Sequence, residues 1–124
     1  MKANELMIGD WVQDITPVVI DAISNEDICT YRAEYGYITA NPSNLKPIPL
    51  TAEILEKNGF VEEAFGWRKL NAANWRINIK IFNGKERYAL CVLGINSQVT
   101  LHGYYVHELQ HALKLCGIDK EIVI

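Results

Sequence analysis

Residues 75–93 read WRINIKIFNGKERYALCVL, and this stretch decides the fold. Trp75, Ile77, Ile79 and Ile81 alternate with Arg76, Asn78 and Lys80. A period of two makes a strand with one apolar and one polar face. Asn83-Gly84 supplies a two-residue hairpin turn, because both residues tolerate positive φ. The returning segment, residues 86–93, is apolar on both faces, which places it centrally in a sheet. Working outward, residues 66–70 read as a preceding strand that turns through residues 71–74, and Val99-Thr100-Leu101 as a following one. The result is a three- or four-stranded antiparallel meander whose Trp75 face needs a cover. A helix over residues 105–116 provides it, since Val106, Leu109, Ala112, Leu113 and Cys116 fall on one side at about 100° per residue. The same wheel puts His107, His111 and Lys114 on the solvent side. Gly117 stops the helix, and residues 121–124 read as a last short strand.

Upstream, the chain changes character. Ile8-Gly9-Asp10-Trp11-Val12 joins a Gly-Asp turn to an apolar strand start, and Val18-Val19-Ile20 is a β-branched run. Residues 21–27 read as a polar turn around Ser24-Asn25; residues 28–35 alternate loosely, and Gly36 precedes Tyr37-Ile38-Thr39. Four or five short strands at this spacing suggest a small curled barrel or half-barrel. Gly9-Asp10-Trp11-Val12 looks like the first strand of SH3-like barrels. Residues 41–49 hold three of the four prolines and mark the boundary. Beyond it, Thr51 is a good N-cap for a short helix over residues 52–58. Glu53 and Glu56 lie near its positive end, Leu50 can staple to Leu55, and Asn58-Gly59 is the stop. The expected fold is therefore α+β: a β-rich SH3-like subdomain, residues 1–49, then an α-β-meander-α-β subdomain, residues 50–124.

The net charge of −3 conceals a segregation. Residues 1–66 carry four bases against eleven acids, and residues 67–124 carry eight bases against four acids. The second half can present a basic face to a polyanion or an acidic partner. No apolar run approaches the roughly eighteen residues of a membrane span, and the opening MKANELMIGDW has no signal-peptide core. Cys29, Cys91 and Cys116 are odd in number and far apart, with no CxxC pair, so they read as buried free thiols. A cytoplasmic protein with no membrane contact is the expectation.

The chemistry-bearing motif is His107-Glu108-Leu109-Gln110-His111, the His-Glu-x-x-His signature of zinc peptidases. Histidines at i and i+4 share a helical face and can ligate one metal while the glutamate acts on bound water. On that alternative the chain is a minimal zinc-dependent hydrolase, with His107 and His111 as ligands and Glu108 as general base. A third protein ligand is also required. Lys114 and Gly117 occupy the positions where the extended motif has glycine and histidine, leaving Asp119, Glu121 or His102 as improvised ligands.

Three segments, MKANELMIGDWV, LKPIPLTAEILEKNGF and YVHELQHALKLCG, resemble in order and spacing an uncharacterised family of short proteins common in Bacteroidetes genomes, prophages and mobile elements. The family's closing segment reads YVH, then Glu or Gln, then LQN. The resemblance implies that Glu108 is interchangeable with Gln and that His111 stands where Asn is common, which suits neither a general base nor a metal ligand. It also implies an interaction module of a prophage or mobile element.

Other chemistry is thinner. The eight glycines form no phosphate loop, and no serine or cysteine has the setting of an activated nucleophile. Asp21, Glu26 and Asp27 match no calcium loop. Trp67, Trp75 and Tyr88 mix with Arg68, Arg76 and Lys80 as in single-strand-binding sheets, but Trp75 shares the core parity, which leaves the bases without a stacking platform. The reading is a non-enzymatic interaction module for a protein or nucleic acid, with no cofactor, no metal and no catalytic residue.

Overall fold

The computed structural model describes residues 1–25, 28–33, 36–72, 75–82, 87–94 and 98–124. The chain divides into two compact units. The first comprises residues 1–48 and 105–107, the second residues 49–104 and 108–124.

In the first unit, β1 (Trp11–Gln13), β2 (Pro17–Asn25), β3 (Ile28–Ala33), β4 (Gly36–Ala40) and β5 (Lys46–Pro47) form an antiparallel sheet in the order β4-β3-β2-β1-β5. The outermost strands β4 and β5 lie on opposite edges, so the sheet is open and no closed barrel forms among the described residues. Strand β2 also runs through Asn25, where a turn was expected from the polar composition. Register shifts between Ile20 and Ala22 and between Ile23 and Asn25 let it accommodate those polar residues as bulges. Leu6, Val12, Val18, Ile20, Cys29, Tyr31 and Leu45 make the buried core. The Gly-Asp turn closes on itself: Gly9 takes φ 93°, and the buried Asp10 accepts the Met7 N–H at Oδ2, 2.8 Å away. The Tyr31 hydroxyl donates to Asp14 Oδ2. That bond, then burial, raises its pKa.

The second unit holds α1 (Ala52–Lys57), β6 (Val61–Glu62), β7 (Trp67–Ala72), β8 (Trp75–Phe82), β9 (Arg87–Leu93) and β10 (Gln98–Gly103), with an antiparallel sheet in the order β10-β9-β8-β7-β6. The alternation along β8 is reproduced: Ile77 and Ile79 have no exposed surface and Trp75 is half-buried. Each fully buried isoleucine contributes about 1.5–3 kcal/mol. As its apolar run requires, β9 lies inside the sheet, with Tyr88, Leu90 and Val92 buried. The Asn83-Gly84 turn lies outside the described residues. Thr51 caps α1 through Oγ1, 3.3 Å from the Ile54 N–H.

No strand forms over residues 121–124, against expectation. The buried Asn58 explains why. Its Nδ2 donates to the carbonyls of Ile54 and Val123, 2.7 Å each, and its Oδ1 accepts the Val123 N–H at 2.8 Å. One carboxamide takes both backbone groups of Val123 in place of a ladder partner.

The second helix, α2 (Val106–Leu115), starts in the first unit and continues in the second. No helix among the described residues is long and apolar enough to cross a membrane.

Candidate functional site

Two places compete for a function: the His-Glu-x-x-His turn of α2 and the outward face of the second sheet.

The helix departs from its expected wheel. Val106, Leu109, Ala112 and Leu113 are buried as expected, but so are His107, at 6% exposure, and Gln110; His111 is half-buried, and Lys114 and Leu115 are the exposed positions. His107 does not face solvent because the Tyr105 ring stacks on its imidazole, with centroids 5.8 Å apart and planes 11° from parallel. The backbone holds this first turn in place through the Val106 N–H, which donates to the Ile48 carbonyl at 2.8 Å. Glu108 is the third residue of the helix, and its Oε1 accepts the Tyr104 N–H at 3.1 Å. The contact is like a capping box's reach-back but falls one residue further out, on the residue before the N-cap. Burial, and then the Glu108 carboxylate, push the Tyr88 hydroxyl well above the usual phenol range. The same ring crowds β10: a Cβ on Gly103 would sit 2.5 Å from the Tyr88 hydroxyl oxygen. Among the described residues, no three His, Cys, Asp or Glu side chains come together as a metal-holding group. Cys29 is buried, which raises its pKa, whereas Cys91 and Cys116 are only half-buried, less than expected.

The second sheet reads differently. Residues directly opposite in an antiparallel ladder share a face. From the register, Leu70, Ile77 and Val92 form one row of the buried face, and Arg68, Ile79 and Leu90 the next. The outward face carries Trp67, Lys69 and Asn71 from β7 and Arg76, Asn78, Lys80 and Phe82 from β8. Ala89, Cys91 and Leu93 of β9 and Gln98, Thr100 and His102 of β10 complete it. The described residues of these four strands put no carboxylate on that face, and Arg76, Asn71, Gln98, Thr100 and His102 are exposed.

Where β7 begins and β8 ends, this face runs into a cleft of about 540 Å³ lined by Ala52, Glu62, Phe65, Gly66, Arg68, Lys80, Ile81 and Phe82. The Lys80 ammonium stands 5.9 Å from the centroid of the Phe82 ring. Arg68 belongs to the buried face, and carboxylates hold its guanidinium: Glu56 at 3.0 Å and Glu62 at 3.7 Å. Lys69 pairs with Glu63 at 3.5 Å. No ion pair is formed by Lys80 or Arg76 among the described residues.

Phe65 is the residue the sequence did not flag. It occupies the middle of the short Ala64–Gly66 turn joining β6 to β7, which is closed by the Glu63 N–H on the Trp67 carbonyl at 2.7 Å. Its φ is 62° and ψ 25°, left-handed and costly for a bulky L-residue. Its side chain is nevertheless 88% exposed, so no burial offsets that cost. The available signal was position: an aromatic directly before glycine at a hairpin tip, where Asn, Asp or Gly is preferred. Phe65, Trp67 and Phe82 correct the expectation that the bases lack aromatic neighbours, while Tyr88 is buried on the opposite face.

Compared with known protein families, with curated proteins and with solved structures, the chain matches none.

Proposed function

We propose that this protein is a non-enzymatic interaction module whose contact surface is the outward face of the second sheet and the adjoining cleft. One observation carries the reading: a strained backbone holds Phe65 in solvent beside a sheet face that, among the described residues of its strands β7 to β10, carries cations and aromatics and no carboxylate. Strain without a packing return is the mark of a residue kept for contact. His107 and Glu108, by contrast, have uses within α2 itself, one stacked on Tyr105 and the other capping. The partner is a protein or a nucleic acid met in the cytoplasm, where three free thiols are at home. We place the first unit among SH3-like half-barrels on its bulged β2 and open sheet, and the whole chain with prophage and mobile-element proteins on its three resembling segments.

The test is a benzophenone amino acid at position 65 of the full chain, photolysed in the cells that encode it. A discrete adduct, missing when the probe replaces the equally exposed Ile15 in the first unit, is the expected result. Identical labelling from both positions, or none from position 65, refutes the reading.

A further inference from the structure

Resting on that reading, we infer that the partner is single-stranded nucleic acid, with a base stacked on Phe65 and backbone phosphates drawn to Lys80 and Arg76. Three features select this ligand.

The first is charge. The described residues of β7 to β10 put Lys80 and Arg76 on the outward face with no carboxylate, although the chain as a whole has net charge −3. Lys69 is already paired with Glu63, and Glu62 lines the adjoining cleft. Such local cationic residues complement a polyanion. Arg68 does not join it, because Glu56 and Glu62 hold it on the other face.

The second is the ring arrangement. A duplex hides the faces of its bases, whereas a single strand offers them for stacking. Phe65 is exposed over most of its surface, so both faces of its ring are accessible. Phe82 and Lys80 line the same cleft, and Trp67 stands directly opposite Lys80 in the ladder. The Lys80 ammonium thus has an aromatic neighbour on its own strand and another opposite it on β7.

The third is the polar lawn beyond. Asn71, Asn78, Gln98 and Thr100 supply donors and acceptors on the outward face, and they reach base edges and sugars better than they would an apolar helix.

The experiment is fluorescence anisotropy of the full chain with labelled oligothymidylate, oligouridylate and a duplex of matched length. Single strands should bind and the duplex bind more weakly. Log affinity should fall against log salt with a slope of about −1.4 to −2, as two or three phosphate contacts on a single strand give. Phe65→Ala should weaken binding about tenfold or more without changing the salt slope. Lys80→Ala should reduce the slope by about 0.7. Phe65 is exposed and Lys80 half-buried, and matched melting curves show that each variant is folded. No single-strand binding at about 50 mM salt, a preference for the duplex, or equal affinity of Phe65→Ala and Lys80→Ala to the parent overturns the inference. If the position-65 adduct proves to be protein while oligonucleotides fail to bind, this inference falls and the module reading stands. If no adduct forms, the module reading falls as well.

Discussion

The α2 turn and the Phe65 turn are opposites. One displays a motif that reads as chemistry, and its residues are engaged where they stand: the His107 ring under Tyr105, the Glu108 carboxylate on the Tyr104 N–H. The other displays nothing in sequence beyond an aromatic before a glycine, yet it carries a left-handed phenylalanine exposed to solvent. The first turn's residues thus have structural uses where they stand, whereas the cost of the Phe65 backbone has no return in packing.

That contrast can be broken from the helix side first. Leu109 has no exposed surface, and Leu109→Ala should lower stability by about 2–5 kcal/mol in urea unfolding. A loss below about 1 kcal/mol would mean that α2 is not part of a packed core. Gly103→Ala should follow at about 1–3 kcal/mol, because the new methyl meets the Tyr88 ring; a neutral result would mean that Tyr88 relocates freely.

Glu108 separates capping from catalysis. Glu108→Ala should cost about 1 kcal/mol, whereas Glu108→Gln, which still accepts the Tyr104 N–H, should cost about half that or less. A base cannot be replaced by an amide, so any hydrolytic activity abolished by Glu108→Gln would restore the zinc reading. His111→Asn should change stability by less than about 1 kcal/mol. Added zinc should leave the melting temperature of both parent and variant unmoved, whereas a true site stabilises by about 2.7 kcal/mol at a hundredfold excess over Kd.

The smallest effect sharpens the other side. Phe65→Gly relieves roughly 1–2 kcal/mol of left-handed strain and costs about 0.5–1 in chain entropy. Stability should therefore hold or rise slightly while binding is lost. A destabilised Phe65→Gly would reveal packing for the ring and remove the argument for contact.

Much of this was legible from pattern. The isoleucines of β8 announce the sheet because burial on one face has no cheaper solution, and the Thr51 and Asn58-Gly59 signals bracket α1 because helix ends need local partners. What escaped was non-local or conformational. Asn58 reads as a helix stop, and nothing in its neighbourhood shows that its amide holds Val123, 65 positions away. Strand β6 is too short and exposed to leave a period. His107 falls on the solvent side of a helical wheel because a wheel registers spacing, not the Tyr105 ring stacked on the imidazole. Phe65 carries no sequence sign of exposure, since an apolar residue ordinarily turns inward; its φ and its exposure show otherwise.

The interleaving of the two units has a consequence for biosynthesis. The first unit contains residues 105–107, and the Ile48 carbonyl waits for the Val106 N–H. At cellular elongation rates the intervening stretch of roughly sixty residues takes about 3–12 s to emerge. During that interval the Ile48 carbonyl is exposed without its Val106 partner, which is when ribosome-associated chaperones can act. A circular permutant that delivers residues 105–107 early should shorten this exposure and reduce chaperone capture during translation.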